Sequence, residues 1–304
     1  MAWFETQTHH WDDWTLAALL AAKGSTRVSL VVPARNEAAT VGDVVTRVRT
    51  ALVDTVALLD EIVVIDSDST DATYDVALDA GAVVHRSAEI RPDLGSVPGK
   101  GEAMWKSLFV TTGDLLVFMD ADLLDWDTHF VPGLLGPLLT RPEVALVKGF
   151  YERPGVGEDG SATTYDGGRV TELVARPWIA LAHRELAGLV QPLAGEWAIR
   201  RSLFETLSVP SGYAVELASL VDTAATLGVQ AIAQVDLGRR AHRHQALLDL
   251  GAMATQILAA MRSRAGAPVA DPVRLRQYQP AEGRIAGVDR AVPVSERPPA
   301  RSVA

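Results

Sequence analysis

Three short runs of mostly apolar residues, Val28–Val32, Glu61–Ile65 and Leu115–Met119, each stop abruptly at a polar cluster, with helix-spaced segments between them. Runs of this kind offer almost no polar face to solvent, so they suit strands that are buried on both sides. Such strands alternating with helices predict a mostly parallel sheet covered on both faces, an α/β fold. Open sheets of that type gather ligands beyond the carboxyl ends of their strands. The polar clusters stand at those ends: Pro33-Ala34-Arg35-Asn36-Glu37, Asp66-Ser67-Asp68-Ser69-Thr70-Asp71, and Asp120-Ala121-Asp122.

The pattern of the remaining residues predicts a helix from Trp11 to Lys23, another after Asn36, and further helices over 72–80, 102–110 and 247–261. Strands are expected over 82–84, 144–147 and 230–235, with a glycine-rich loop over 153–168 that leads into a helix start at 169–175. From Ala265 onward Pro, Arg, Gly and Ser dominate without periodicity, which predicts an extended or mobile tail.

Composition narrows the function classes. With 304 residues and 48% hydrophobic content, the chain can bury a full core. Its formal net charge of −10, with no basic stripe, argues against a nucleic-acid partner. The lack of cysteine excludes disulfides and thiolate metal sites and agrees with a reducing compartment. The N-terminus has no basic start followed by an apolar core, and no apolar run reaches the roughly 18 residues of a membrane span, so a cytoplasmic protein without a membrane partner is expected.

Several side chains have chemistry suited to phosphates. Asp120 and Asp122 offer hard oxygen ligands where a divalent cation could meet a diphosphate, although an Asp-x-Asp pair also suits a solvated turn. Asn36 and Thr70 likewise fit helix N-caps. Lys100 sits between Gly99 and Gly101 at a helix start, a place for an ammonium facing phosphate or for a solvated lysine. Gly168, Arg169 and Thr171 combine close backbone approach, outward-pointing amides and a planar fork, the features of an anion site; an Arg paired to a surface carboxylate is the other reading. A lone histidine such as His242 is more often packed than ligating, and Glu216 by itself reads as an acidic helix start.

The three strand-end clusters together resemble the GT-A glycosyltransferases, with a Pro-x-x-Asn-Glu turn, then Asp-x-x-Ser-x-Asp, then Asp-x-Asp. Pro98–Trp105, Gly167–Pro177, Gln191–Glu196, Gly212–Glu216 and Arg240–Arg243 extend the similarity to the retaining, actinobacterial members that glucosylate 3-phospho-D-glycerate. It covers nearly the whole chain, to the Arg297-Pro-Pro299 tail.

The resemblance implies a GT-A fold with an N-terminal helical segment (1–26), a nucleotide-sugar half (27–123), an acceptor half (124–264) and a tail (265–304). It implies that Pro33, Ala34, Glu37 and Ser67 line the base and ribose pocket, and that Lys100, Asp120, Ala121, Leu193 and Glu216 complete the donor site. Lys100, Asp120, Asp122 and Glu216 would carry the catalysis. Gly168, Arg169, Val170 and Thr171 would hold the acceptor phosphate, with Tyr213 and His244 beside it. Asp122 and His242 would hold Mg²⁺, with Mn²⁺ the other fitting ion, and the enzyme would be a homodimer.

Two positions depart from the mycobacterial pattern: His244 replaces an Asn near the acceptor, and Arg35 replaces an apolar residue beside the base. Two rival readings remain, a mannosyl transferase using GDP-mannose on the same acceptor and a noncatalytic nucleotide-binding module of the same fold. A sugar-nucleotide pyrophosphorylase is disfavoured because its glycine-rich, arginine-containing opening is replaced by Pro33–Glu37.

Overall fold

The computed structural model describes residues 2–152, 155–156, 162–163, 168–240, 246–281 and 283–303. Eight strands build one sheet: β1 (Thr8–His10), β2 (Val28–Ala34), β3 (Glu61–Asp66), β4 (Val83–Arg86), β5 (Leu115–Phe118), β6 (Leu146–Glu152), β7 (Trp197–Arg200) and β8 (Ile232–Arg239). Their spatial order is β1-β8-β6-β7-β5-β2-β3-β4. Strand β7 runs antiparallel to both of its neighbours, and the other pairs in the sheet are parallel.

Successive side chains of a strand point to opposite faces, and here both faces are dry. In β2, Val28, Leu30 and Val32 enter one core while Val31 enters the other; in β5, Leu115 and Val117 oppose Leu116 and Phe118. Helices α2 (Leu16–Lys23), α3 (Val41–Arg49), α4 (Thr73–Asp79) and α6 (Phe130–Thr140) contribute to the first core. Helices α5 (Lys100–Ser107), α7 (Arg176–Ala182), α8 (Val215–Leu227) and α9 (Leu247–Arg264) contribute to the second. The short α1 (Ala2–Gln7) leads into β1. Burying both faces of a strand is what makes its sequence continuously apolar rather than alternating.

Several boundaries differ from the sequence expectation. The segment from Trp11 does not continue a helix to Lys23: Trp11–Asp13 form one tight turn, and α2 starts after Thr15, whose Oγ1 accepts the Ala18 N–H at 3.2 Å. Strand β8 starts at Ile232 rather than Gln230 and runs on to Arg239. The glycine-rich loop lies largely outside the described residues.

The tail is extended but paired. Strands β9 (Val273–Ala281) and β10 (Arg284–Val292) form an antiparallel hairpin, after which Glu296–Arg297 pair with Val209–Pro210. The alternation Val273-Arg274-Leu275-Arg276-Gln277 is the period-2 signal that marks it. No helix among the described residues is long and apolar enough to cross a membrane.

Candidate active site

The turns after β2 and β3 are bonded into one unit. Asn36 Oδ1 accepts the Thr70 N–H at 2.8 Å, and the Asn36, Glu37 and Ala38 N–H groups donate to Ser69 Oγ, Thr73 Oγ1 and Asp71 Oδ2. Asn36 and Asp68 both sit in the left-handed region, at φ 56°, which Asn and Asp tolerate better than most residues. Neither Asn36 nor Thr70 is a helix N-cap, since Thr40 and Ala72 occupy those positions. Tied in this way, Pro33, Ala34, Arg35, Glu37 and Ser67 form one wall of a cleft of about 490 Å³ at the carboxyl ends of the parallel strands.

Lys100 enters the same cleft from the start of α5. Its turn is packed against the 210–212 backbone, where a β-carbon on Gly99 or Gly101 would collide with the carbonyl of Ser211 or Pro210. The Gly101 and Glu102 N–H groups donate to Gly212 and Ser211 carbonyls at 3.2 and 2.9 Å. From this fixed base Lys100 Nζ reaches Asp120 Oδ1 at 2.6 Å and Glu216 Oε1 at 2.8 Å. Burial alone would lower the lysine pKa, but the charges of Asp120 and Glu216 outweigh it and raise it.

A second cation completes the cluster. Arg240 Nη2 lies 3.1 Å from both Asp120 Oδ2 and Asp122 Oδ1, while Nη1 donates to Glu196 Oε2 at 3.0 Å and to the Tyr151 hydroxyl. Burial opposes the charge on Asp120, yet Lys100 and Arg240 hold its carboxyl well below the ordinary range. Burial and the neighbouring Asp120 charge push Asp122 the other way. Burial also raises Glu196 and brings the fully buried Lys148, which donates to the Ala194 carbonyl, down to about 7.

The cleft is closed by Gly168, Arg169, Val170 and Thr171 at the approach to α7, and by Leu193 and Tyr213. Gly168 has φ 86°, a backbone setting that requires glycine or strain. Thus Pro33, Ala34, Glu37, Ser67, Lys100, Asp120, Ala121, Asp122, Leu193, Tyr213 and Glu216 share one cleft with the 168–171 turn. His242 and His244 lie outside the described residues.

Sequence reasoning passed over Lys148 and Tyr151, and it placed Glu196 and Arg240 in segments that carry the resemblance without giving either a role in the site. A lysine directly after the apolar run Val144–Val147 was the available signal for Lys148. Two carboxylate oxygens converging on one cation, with the Asp122 side chain 35% exposed to the cleft, make a hard, anionic donor set. That chemistry fits Mg²⁺ or Mn²⁺. Among the described residues, no group of three or more acidic or histidine side chains is placed to hold a metal ion.

Residues 29–208 match the family model described as glycosyl transferase family 2. Glucosyl-3-phosphoglycerate synthase of Mycolicibacterium smegmatis is 49% identical over 261 residues, which are 85% of this chain and 84% of that one. The chain belongs to the glucosyl-3-phosphoglycerate synthases of glycosyl transferase family 2. Its fold is the GT-A fold of that family, as the sequence resemblance implied. The Mycobacterium tuberculosis synthase in complex with Mn²⁺, UDP-glucose and phosphoglyceric acid superposes with a TM-score of 0.87 at 41% identity, covering 98% of this chain and 99% of that one. The same synthase with Mg²⁺ and UDP gives 0.87 at 42% identity, with the same coverage. The likeness therefore extends through the tail hairpin, beyond the part that the family model matches.

Proposed function

We propose that this chain moves glucose from UDP-glucose to the 2-hydroxyl of 3-phospho-D-glycerate, with retention at the anomeric carbon. The observation that carries the reading is the single cleft in which Lys100, Asp120, Asp122 and Glu216 stand with the Gly168–Thr171 turn. One group suits a diphosphate and its sugar, and the other suits a small anion. Membership of the synthase family and the ligands named for the solved relatives support the same pairing.

Each side chain then has a part. Lys100, kept charged by its two carboxylates, faces the oxygen on which negative charge develops as the diphosphate leaves. Asp122, with His242 as its expected companion, would hold Mg²⁺ or Mn²⁺, which when bound neutralises that diphosphate. Glu216 orients the sugar hydroxyls, and Ala121 and Leu193 bound the donor pocket. Arg169 and the amides of Gly168, Val170 and Thr171 fix the acceptor phosphate, with Tyr213 and His244 beside it, and so aim the 2-hydroxyl.

In the step itself, the bond from the anomeric carbon to the β-phosphate oxygen breaks and a bond to the acceptor oxygen forms. The acceptor proton passes to the departing phosphate on the same face. The division into donor and acceptor halves at residue 123, and a homodimeric assembly, belong to the same proposal and are carried over with the family resemblance.

Purified chain with Mg²⁺ and 3-phosphoglycerate, given UDP-glucose, GDP-glucose or GDP-mannose separately, tests it by mass and NMR of the product. Glucosyl-3-phosphoglycerate from UDP-glucose is expected. Product from GDP-mannose alone would replace the donor assignment, and no product with any donor would sink the acceptor assignment.

A further inference from the structure

Neither Glu102 nor Arg297 lines the cleft, yet together they tie the C-terminal tail to the turn that carries Lys100. Glu102, 1% exposed, is held by a two-pronged contact: Arg297 Nε and Nη2 each lie 2.6 Å from one of its carboxylate oxygens. The same guanidinium donates to the Leu94 carbonyl at 2.8 Å and the Gly95 carbonyl at 3.3 Å, and stacks over Trp105 at 5.1 Å. Trp105 Nε1 returns a hydrogen bond of 2.8 Å to the Pro298 carbonyl.

The loop before Lys100 is gripped from the helix side as well. Buried Lys106 donates to the carbonyls of Ile90, Arg91 and Gly95. The backbone facing Lys100 is bonded to the tail too: Val209–Pro210 pair with Glu296–Arg297, and the Ser211 N–H donates to the Ser295 carbonyl at 3.0 Å. Ser211 and Gly212 are the acceptors for the first amides of α5. The tail therefore bonds the loop preceding Lys100, the helix that begins with it and the strand opposite it. Lys100 must meet Asp120 and Glu216 on two other elements at 2.6 and 2.8 Å, a geometry that a shift of about 1 Å at the start of α5 would undo.

We propose that Arg297 is a positioning residue for Lys100, acting through Glu102 and the 94–101 turn. The proposal rests on the donor-site role of Lys100 given above, and its test reads donor affinity separately from transfer. UDP binding in the presence of Mn²⁺ is measured by calorimetry on the full chain, Arg297→Met, Lys100→Met and the double variant, together with kcat and KM.

Arg297→Met is expected to weaken UDP binding and lower kcat, each by roughly tenfold, with the KM for 3-phosphoglycerate unchanged. In the Lys100→Met background the same change should cost less than about twofold, because the group it positions is gone. Equal losses in both backgrounds would make Arg297 a general structural contact and overturn the proposal. Arg297→Lys, which keeps charge without the fork, should fall between.

Should Arg297→Met fail to fold, Glu102→Gln enters the same cycle and is judged by the same two outcomes. A parent chain that binds UDP but forms no product with 3-phosphoglycerate would sink the acceptor reading and leave this cycle intact. One that binds no UDP would overturn both.

Discussion

Lys100 Nζ bridges Asp120 Oδ1 and Glu216 Oε1 at 2.6 and 2.8 Å, linking the end of a sheet strand to the first turn of α8 through one ammonium. One ammonium faces two carboxylates in a place largely closed to water, and Arg240 brings a second positive charge to Asp120. In the proposed reaction, this ammonium is the group that faces the diphosphate oxygen on which charge gathers.

Replacing Lys100 with Met should lower kcat by about 10²–10³, the range for losing one preorganised charge contact. It should also reduce stability by about 3–5 kcal/mol, because Asp120 and Glu216 lose a shared buried partner. Steady-state kinetics and chemical denaturation measured on the same preparation separate the two effects. An unchanged kcat would remove Lys100 from the transfer step.

Asp122→Ala is expected to abolish transfer while leaving the circular dichroism spectrum intact, since the side chain is 35% exposed and one of its carboxylate oxygens meets Arg240. Mn²⁺ binding, followed by electron paramagnetic resonance with UDP present, should weaken by at least about tenfold. Full activity in this variant would remove the metal assignment.

Arg169→Lys keeps the charge and loses the planar fork. The KM for 3-phosphoglycerate should rise by about 10- to 100-fold, with the KM for UDP-glucose within about twofold of the parent. A change confined to the donor would place the acceptor phosphate elsewhere in the cleft.

Lys148 gives a pH signature in stability. Burial brings its pKa down to about 7 in the folded chain, against 10.5 for an ordinary lysine. Between those values the unfolded chain binds more protons than the folded one. Stability relative to Lys148→Met must therefore rise as pH increases across that window, by at most about 1.4 kcal/mol per pH unit. Urea denaturation of both proteins at pH 7.5 and 9.5 tests this, and a difference that stays flat would show that the ammonium is not desolvated in the fold.

Local sequence pattern alone specifies the two-faced sheet and the edge at which its polar cleft opens. Runs such as Ile62–Ile65 and Leu115–Met119 have no polar side to expose, so they must lie in a covered sheet, and the polar residues that stop them must meet at its carboxyl edge. The Asp120-Ala121-Asp122 pair and the Pro33–Glu37 turn were legible for that reason. The tail hairpin was less so, because its alternation is weak and most of its residues remain exposed.

Which charges neutralise one another follows from the fold in three dimensions. Arg240, Glu196, Lys148 and Tyr151 come from β6, the lead into β7 and the end of β8, and nothing in local spacing relates them. Their proximity, and the bonds of Arg240 to Glu196 and Tyr151, follow from the sheet order, which sets β6 between β7 and β8 and so brings distant ionisable groups into one dry volume. The Arg297–Glu102 contact is of the same kind. A buried charge needs a partner, but the sequence does not name it, because the partner is chosen by how the chain closes in space.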